Sequence, residues 1–177
     1  DTMGTVSGSG TFDVGTEITI SAIAAEGYHF VSWSDGNIES ERTIVVTTDI
    51  TLTAEFAINI YKVNLSGING TVAGSGEYTH GSVIELKALA DKGYYFVRWS
   101  DGELTEERQL IVTSDTTLVA EFSKEIRNVV LYGENGEVTG SGPYAYGSVV
   151  VISATPHEGY HFVGWSDGET ADRKSTR

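Results

Sequence analysis

No cysteine occurs in the 177 residues, which excludes disulfides, thiolate metal sites and a cysteine nucleophile. That absence fixes no compartment, because oxidising compartments permit disulfides without requiring them. Basic residues are scarce: 11 Lys and Arg stand against 25 Asp and Glu, a formal charge of -14. Such a surface repels phosphate backbones and anionic lipid, so nucleic acid is not an expected partner. No run of about 18 apolar residues is present, so insertion into a membrane is not expected. Proline is nearly missing, and no window carries a capped helical pattern. The opening DTMGTVSGSG has no basic, apolar secretion signal, as a processed segment would not.

Glycine, by contrast, is plentiful at 21 residues, and the 40% hydrophobic content is too rich for a disordered chain. Both point to a folded protein with many tight turns. The turns recur in order. GYHFVSWSDG at Gly27 to Gly36 returns as GYYFVRWSDG from Gly93 and as GYHFVGWSDG from Gly159. GTVSGSG at Gly4, GTVAGSG at Gly70 and GEVTGSG at Gly136 are spaced by 66 residues both times, with no insertion between copies. A fixed period of this length marks tandem modules. Repeat 1 covers residues 1–59 and lacks an opening strand. Repeat 2, residues 60–124, is complete, with YKVNLSG (Tyr61 to Gly67) as its first strand. Repeat 3, residues 125–177, opens with RNVVLYG but lacks the final strands found in the other two.

Within a copy the apolar period is two, which predicts strands. Ile18, Ile20 and Ala22 share one face of EITISAIA, as do Ile84, Leu86, Ala88 and Val150, Ile152, Ala154 in the later copies. Leu52, Ala54 and Phe56 alternate with Thr51, Thr53 and Glu55 in ITLTAEF, predicting a strand over that whole segment. Asn69-Gly70 and Asn135-Gly136 lie between strands and predict hairpins. The expected fold class is all-β: tandem antiparallel modules of about five strands each. A unit of this size without staples sits near the lower limit for folding alone, so neighbours are expected to support one another.

The chemistry-bearing residues each have a catalytic or binding reading and a structural one. Trp33, Trp99 and Trp165 could stack on sugars, but one Trp per small module is better spent on packing. Burying Phe30 with Trp33, Phe96 with Trp99 and Phe162 with Trp165 needs a bulge in each strand, because residues three apart otherwise face opposite ways. Val31, Val97 and Val163 are placed with the Trp. Asp35, Asp101 and Asp167 precede Gly, the signature of a turn, and lack the carboxylate density of a calcium loop. His29 and His161 align with Tyr95, while His80 and His157 have no counterparts, so no His-based metal or catalytic set recurs. No pair of carboxylates in a cleft suggests glycoside hydrolysis, and GSG lacks the helix and Lys of a phosphate loop. Arg42, Arg108 and Lys174 are expected to form salt bridges or to cover the Trp.

The frame G-x-V-x-G-S-G-x-aromatic, a strand, G-Y-x-F-x-x-W-S-D-G and T-x-D-x-T-L-x-A-E-F resembles the divergent InlB B-repeat modules over essentially the whole chain. The resemblance implies small β-rich modules related to the β-grasp, in the extracellular space or cell wall of a bacterium. It implies no catalytic residue and no cofactor. The expected function is therefore that of a stalk or spacer, the alternative being a multivalent adhesion module that binds a host or cell-surface protein or glycan. Contacts for such a ligand would come from Phe12, Tyr78 and Tyr144. The incomplete end repeats predict self-association by strand exchange.

Overall fold

The computed structural model describes residues 3–171 and the backbone of 173–176, and every described element is a strand or a connection. Repeat 1 contributes β1 (Gly4–Ser7), β2 (Glu17–Ala24), β3 (Tyr28–Trp33), β4 (Glu41–Val45) and β5 (Ala54–Ile58). Repeat 2 contributes β6 (Ile60–Gly67), β7 (Gly70–Ala73), β8 (Gly76–Thr79), β9 (Val83–Ala90), β10 (Tyr94–Trp99), β11 (Glu107–Ile111) and β12 (Thr116–Lys124). Repeat 3 contributes β13 (Ile126–Val129), β14 (Gly136–Thr139), β15 (Gly142–Ala145), β16 (Val150–Pro156) and β17 (Arg173–Thr176). The complete repeat thus has seven strands instead of the expected five; the two short strands flanking GSG account for much of the difference.

Two compact units are formed. The first holds Asp1–Leu65, Ala73–Lys87 and Glu107–Leu118; the second holds Ser66–Val72, Ala88–Glu106 and Val119–Arg177. In the first, β2 lies between β1 and β4, and β3 pairs antiparallel with β5. Ile20, Ala22 and Trp33 are buried there, with Ile18, Phe30, Ile44, Leu52, Ala54 and Phe56 packed around them. Alternation produces this: the intervening Glu17 and Thr19 of β2 are exposed. The same unit holds the antiparallel pairs β6 with β8 and β9 with β11.

In the second unit β10 pairs with β12 and β13 with β15, while β16 lies between β14 and β17. Phe96 stands edge-on to Trp99 and to Phe122, both centroid distances being 5.9 Å. Val150 and Ile152 are buried on β16.

Three expectations are corrected. Asn69 and Asn135 do turn the chain, with φ of 71° and 58°, but the strands they join do not form a hairpin. β6 pairs with β8, whereas β7 belongs with β9, held at its start by the bond from Asp91 N–H to Asn69 O at 3.0 Å. Second, residues 50–53 of ITLTAEF form no strand, although their counterparts belong to the nine-residue β12. Likewise the segment Gly10 to Asp13 is irregular where β8 and β15 are strands. Repeat 1 has no counterpart of β6, so these stretches lack ladder partners. Third, Val31 and Val97 do not share the Trp face: each sits at a register shift, exposed, and Val163 is exposed too.

Candidate functional site

The WSDG corner is the thrice-written group of polar and aromatic side chains, so its geometry decides what it can do. The register shifts between Phe30 and Ser32 and between Phe96 and Arg98 are the β-bulges that the i, i+3 spacing demands. They turn Phe and Trp to one side: Phe30 and Trp33 have centroids 5.7 Å apart, and Phe162 and Trp165 5.4 Å. Trp33 and Trp99 are buried at 3% and 0% exposure, and Phe96 is buried at 8%. Phe30 is half-buried, as are Phe162 and Trp165, where residues 160–165 form no strand because repeat 3 has no counterpart of β12.

The Trp and Asp side chains of all three corners, and the Ser side chains of the first two, bond to the chain itself. The indole N–H of Trp33 donates to Glu39 O at 2.9 Å, that of Trp99 to Thr105 O at 3.0 Å and that of Trp165 to Ala171 O at 2.9 Å. Ser34 Oγ accepts from Thr53 N–H, and Ser100 Oγ from Val119 N–H, both at 3.1 Å. The carboxylates of Asp35, Asp101 and Asp167 accept from the backbone N–H two residues on, which makes Asx turns. Arg42 donates to Asp35 at 2.5 Å with its guanidinium carbon 5.9 Å from the Trp33 centroid. That hydrogen bond holds the Asp35 carboxyl below its usual range. The Lys174 side chain lies outside the described residues.

The aromatics after GSG are similarly engaged. Tyr78 donates its hydroxyl to Gly74 O, and Tyr144 to Gly140 O, each at 3.1 Å. Phe12, which has no hydroxyl, is exposed and lies over Gly10. No group of three potential metal ligands is present among the described residues.

A second recurrent arrangement had no counterpart in the sequence reading. Gly27 O accepts from Asn59 N–H, and Asn59 O accepts from His80 N–H, both at 2.8 Å. Sixty-six residues on, Gly93 O accepts from Glu125 N–H, and Glu125 O from Tyr146 N–H, again at 2.8 Å. Each pair of bonds ties one repeat to the start of the next, and an aromatic ring closes over the glycine. A Cβ on Gly27 would lie 2.3 Å from the His80 ring, and one on Gly93 would lie 2.2 Å from the Tyr146 ring. His29 Nδ1 and Asn59 Oδ1 are 2.8 Å apart at the first junction, and Lys92 Nζ is 6.0 Å from the Tyr146 ring at the second. The available signal was a kept glycine with a ring-bearing residue 53 positions later, His80 or Tyr146.

Comparisons with known proteins agree with this modular picture. The family model of the divergent InlB B-repeat domain matches residues 1–60, 61–126 and 129–177. Two proteins of Evansella cellulosilytica are similar. One, bearing the name of a membrane protein, is 28% identical over 154 residues, covering 81% of this chain and 23% of the relative. The other, bearing the name of a Gly-rich membrane protein, is 27% identical over 154 residues, covering 81% and 18%. The chain thus spans less than a quarter of either relative's length. With three successive matches over nearly all its residues, the chain belongs to the divergent InlB B-repeat family.

Proposed function

We propose that this chain is a non-catalytic run of tandem repeats from a bacterial secreted or cell-surface protein, serving as a stalk or spacer that presents other domains. The repeated junction carries the reading: the same two backbone bonds and the same glycine-ring contact fix successive repeats at Gly27 and at Gly93. A spacer needs a defined angle at every joint, whereas a flexible tether needs none. The WSDG residues support a structural role, since the Trp33, Ser34 and Asp35 side chains are bonded to the backbone of their own repeat. Engagement of the Tyr78 and Tyr144 hydroxyls by their own loops favours a spacer over an adhesin that would read ligands through them. The membrane-protein names of the relatives support a place in the cell envelope.

Small-angle scattering on chains with successively more repeats tests this. The maximum dimension should grow by one constant increment per repeat. A particle that stays compact as repeats are added would reject the spacer.

A further inference from the structure

Repeat 2 lies wholly inside the chain, which enters it along β6 from Ile60 and leaves it along β12 at Lys124. These two strands are hydrogen-bonded neighbours at the centre of a four-stranded sheet, with β8 outside β6 and β10 outside β12. In the first unit Lys62 N–H donates to Asp115 Oδ1 at 2.8 Å. In the second, a Cβ on Gly67 would lie 2.9 Å from the Phe122 ring and 3.3 Å from Ala120 O. Asp115 follows Lys62 by 53 residues, and Ala120 follows Gly67 by the same 53, so β6 and β12 run side by side in one direction.

The pair is packed as well as bonded. Val63 on β6 and Leu118 and Ala120 on β12 are buried. Each strand is also held on its other side: Ile60 to Val63 pair with Thr79 to Gly76 of β8, and Ala120 to Lys124 pair with Trp99 to Tyr94 of β10. Under tension the shared direction matters. A pull along the chain draws Ile60 backwards and Lys124 forwards, away from each other along two parallel strands. Neither strand can then peel from its neighbour, and each must slide along the other. The bonds of a parallel ladder are evenly spaced along the strands, so sliding loads all of them at once, whereas peeling breaks them one at a time. Forced unfolding is governed by the unfolding barrier, and this load path makes the whole ladder part of that barrier.

We infer that repeat 2 is a force-bearing module, with the parallel pair of β6 and β12 as its mechanical clamp. The clamp rests on the spacer reading only for the source of the tension; its resistance belongs to the strands. Two residues fit the role at opposite ends of the pair. Asp115 binds the backbone of β6 beside Ile60, where the pull arrives, and so adds a side-chain bond to the entry end of the pair. Gly67, at the far end, lets β6 lie against Ala120 and the Phe122 ring, where any side chain would push the strands apart. Leu65 N–H donates to Ser75 Oγ at 3.0 Å, which holds the middle of β6 against the segment before β8.

The test is optical-tweezers unfolding of the full chain in two pulling geometries, with handles attached through introduced cysteines at exposed positions. Ile60→Cys with Lys124→Cys loads the two strands in shear. Ile60→Cys with Ser114→Cys, both at the entry end, peels them apart. At one loading rate the shear geometry should unfold at a force several times that of peeling. It should do so in single steps of about 190 Å of contour, the extended length of residues 60–124 less their folded span. Asp115→Ala, which removes an exposed side chain, and Gly67→Leu should both lower the shear force. Equal forces in the two geometries, or a shear force that Asp115→Ala leaves unchanged, would overturn the clamp. A weak clamp would leave the constant scattering increment of a spacer untouched, and a compact array of repeats would leave the two forces untouched, so the clamp and the spacer fail separately.

Discussion

Tyr146 closes over Gly93 so tightly that a single added methyl group would lie 2.2 Å from its ring, while the backbone of Tyr146 is bonded to Glu125, which is itself bonded to Gly93. The ring and the bonds define one joint, and the first joint reproduces it with His80 over Gly27.

This joint is separable from ordinary glycine strain. Gly93 and Gly159 are equivalent, with φ of 86° and 82°, but nothing lies within 4 Å of a Cβ at Gly159. Gly159→Ala should therefore cost only the backbone penalty of a left-handed alanine, about 1–2 kcal/mol. Gly93→Ala should cost about 1–3 kcal/mol more, because the Tyr146 ring must move out. Paired denaturant unfolding curves check this, and equal losses at the two positions would remove the ring from the account.

The Trp residues should differ in the same graded way. Trp99, fully enclosed, should lose about 3–5 kcal/mol on replacement by Ala. Trp33 packs among Ile18, Phe30, Ile44, Leu52, Ala54 and Phe56, all only partly buried, so Trp33→Ala should cost less. Losses measured by chemical denaturation in the opposite order would contradict the looser packing around Trp33.

The bulge makes a tolerant position out of an apolar one. Val97 lies at the register shift and is 37% exposed, so Val97→Ser should change stability by less than about 0.5 kcal/mol. A valine packed on the Trp face would cost several times that.

Asp35 gives a pH dependence with a definite sign. Its folded pKa is lowered from 3.8 by the Arg42 hydrogen bond, so its stabilising contribution is present above the unfolded value and disappears as pH falls through the folded one. NMR titration of the Asp35 carboxyl should find a midpoint below 3.8. Arg42→Gln should return that midpoint towards the ordinary value, and an unchanged midpoint would break the link.

Much of the fold was legible because its determinants are local and repeated. The alternation of Ile18, Ile20 and Ala22 marks an inward face, and the spacing of Phe30 and Trp33 by itself requires a bulge. What escaped depends on distant strands. Asn69-Gly70 dictates a turn but not which sheet receives β7. Residues 50–53 have strand composition, yet without a neighbour such as β6 they have no ladder to join. The joint escaped for another reason: its ring is His80 in one place and Tyr146 in the other, so the copies keep a shape without keeping a residue.

The most direct measurement of the rigid joint is a distance distribution between spin labels at Thr43→Cys and Gln109→Cys, equivalent exposed strand positions on repeats 1 and 2. The natural lack of cysteine makes the labelling clean. A single narrow distance that broadens on Gly27→Ala is the predicted result. A broad distribution in the parent chain, or one that Gly27→Ala leaves unchanged, would contradict a spacer built from fixed joints.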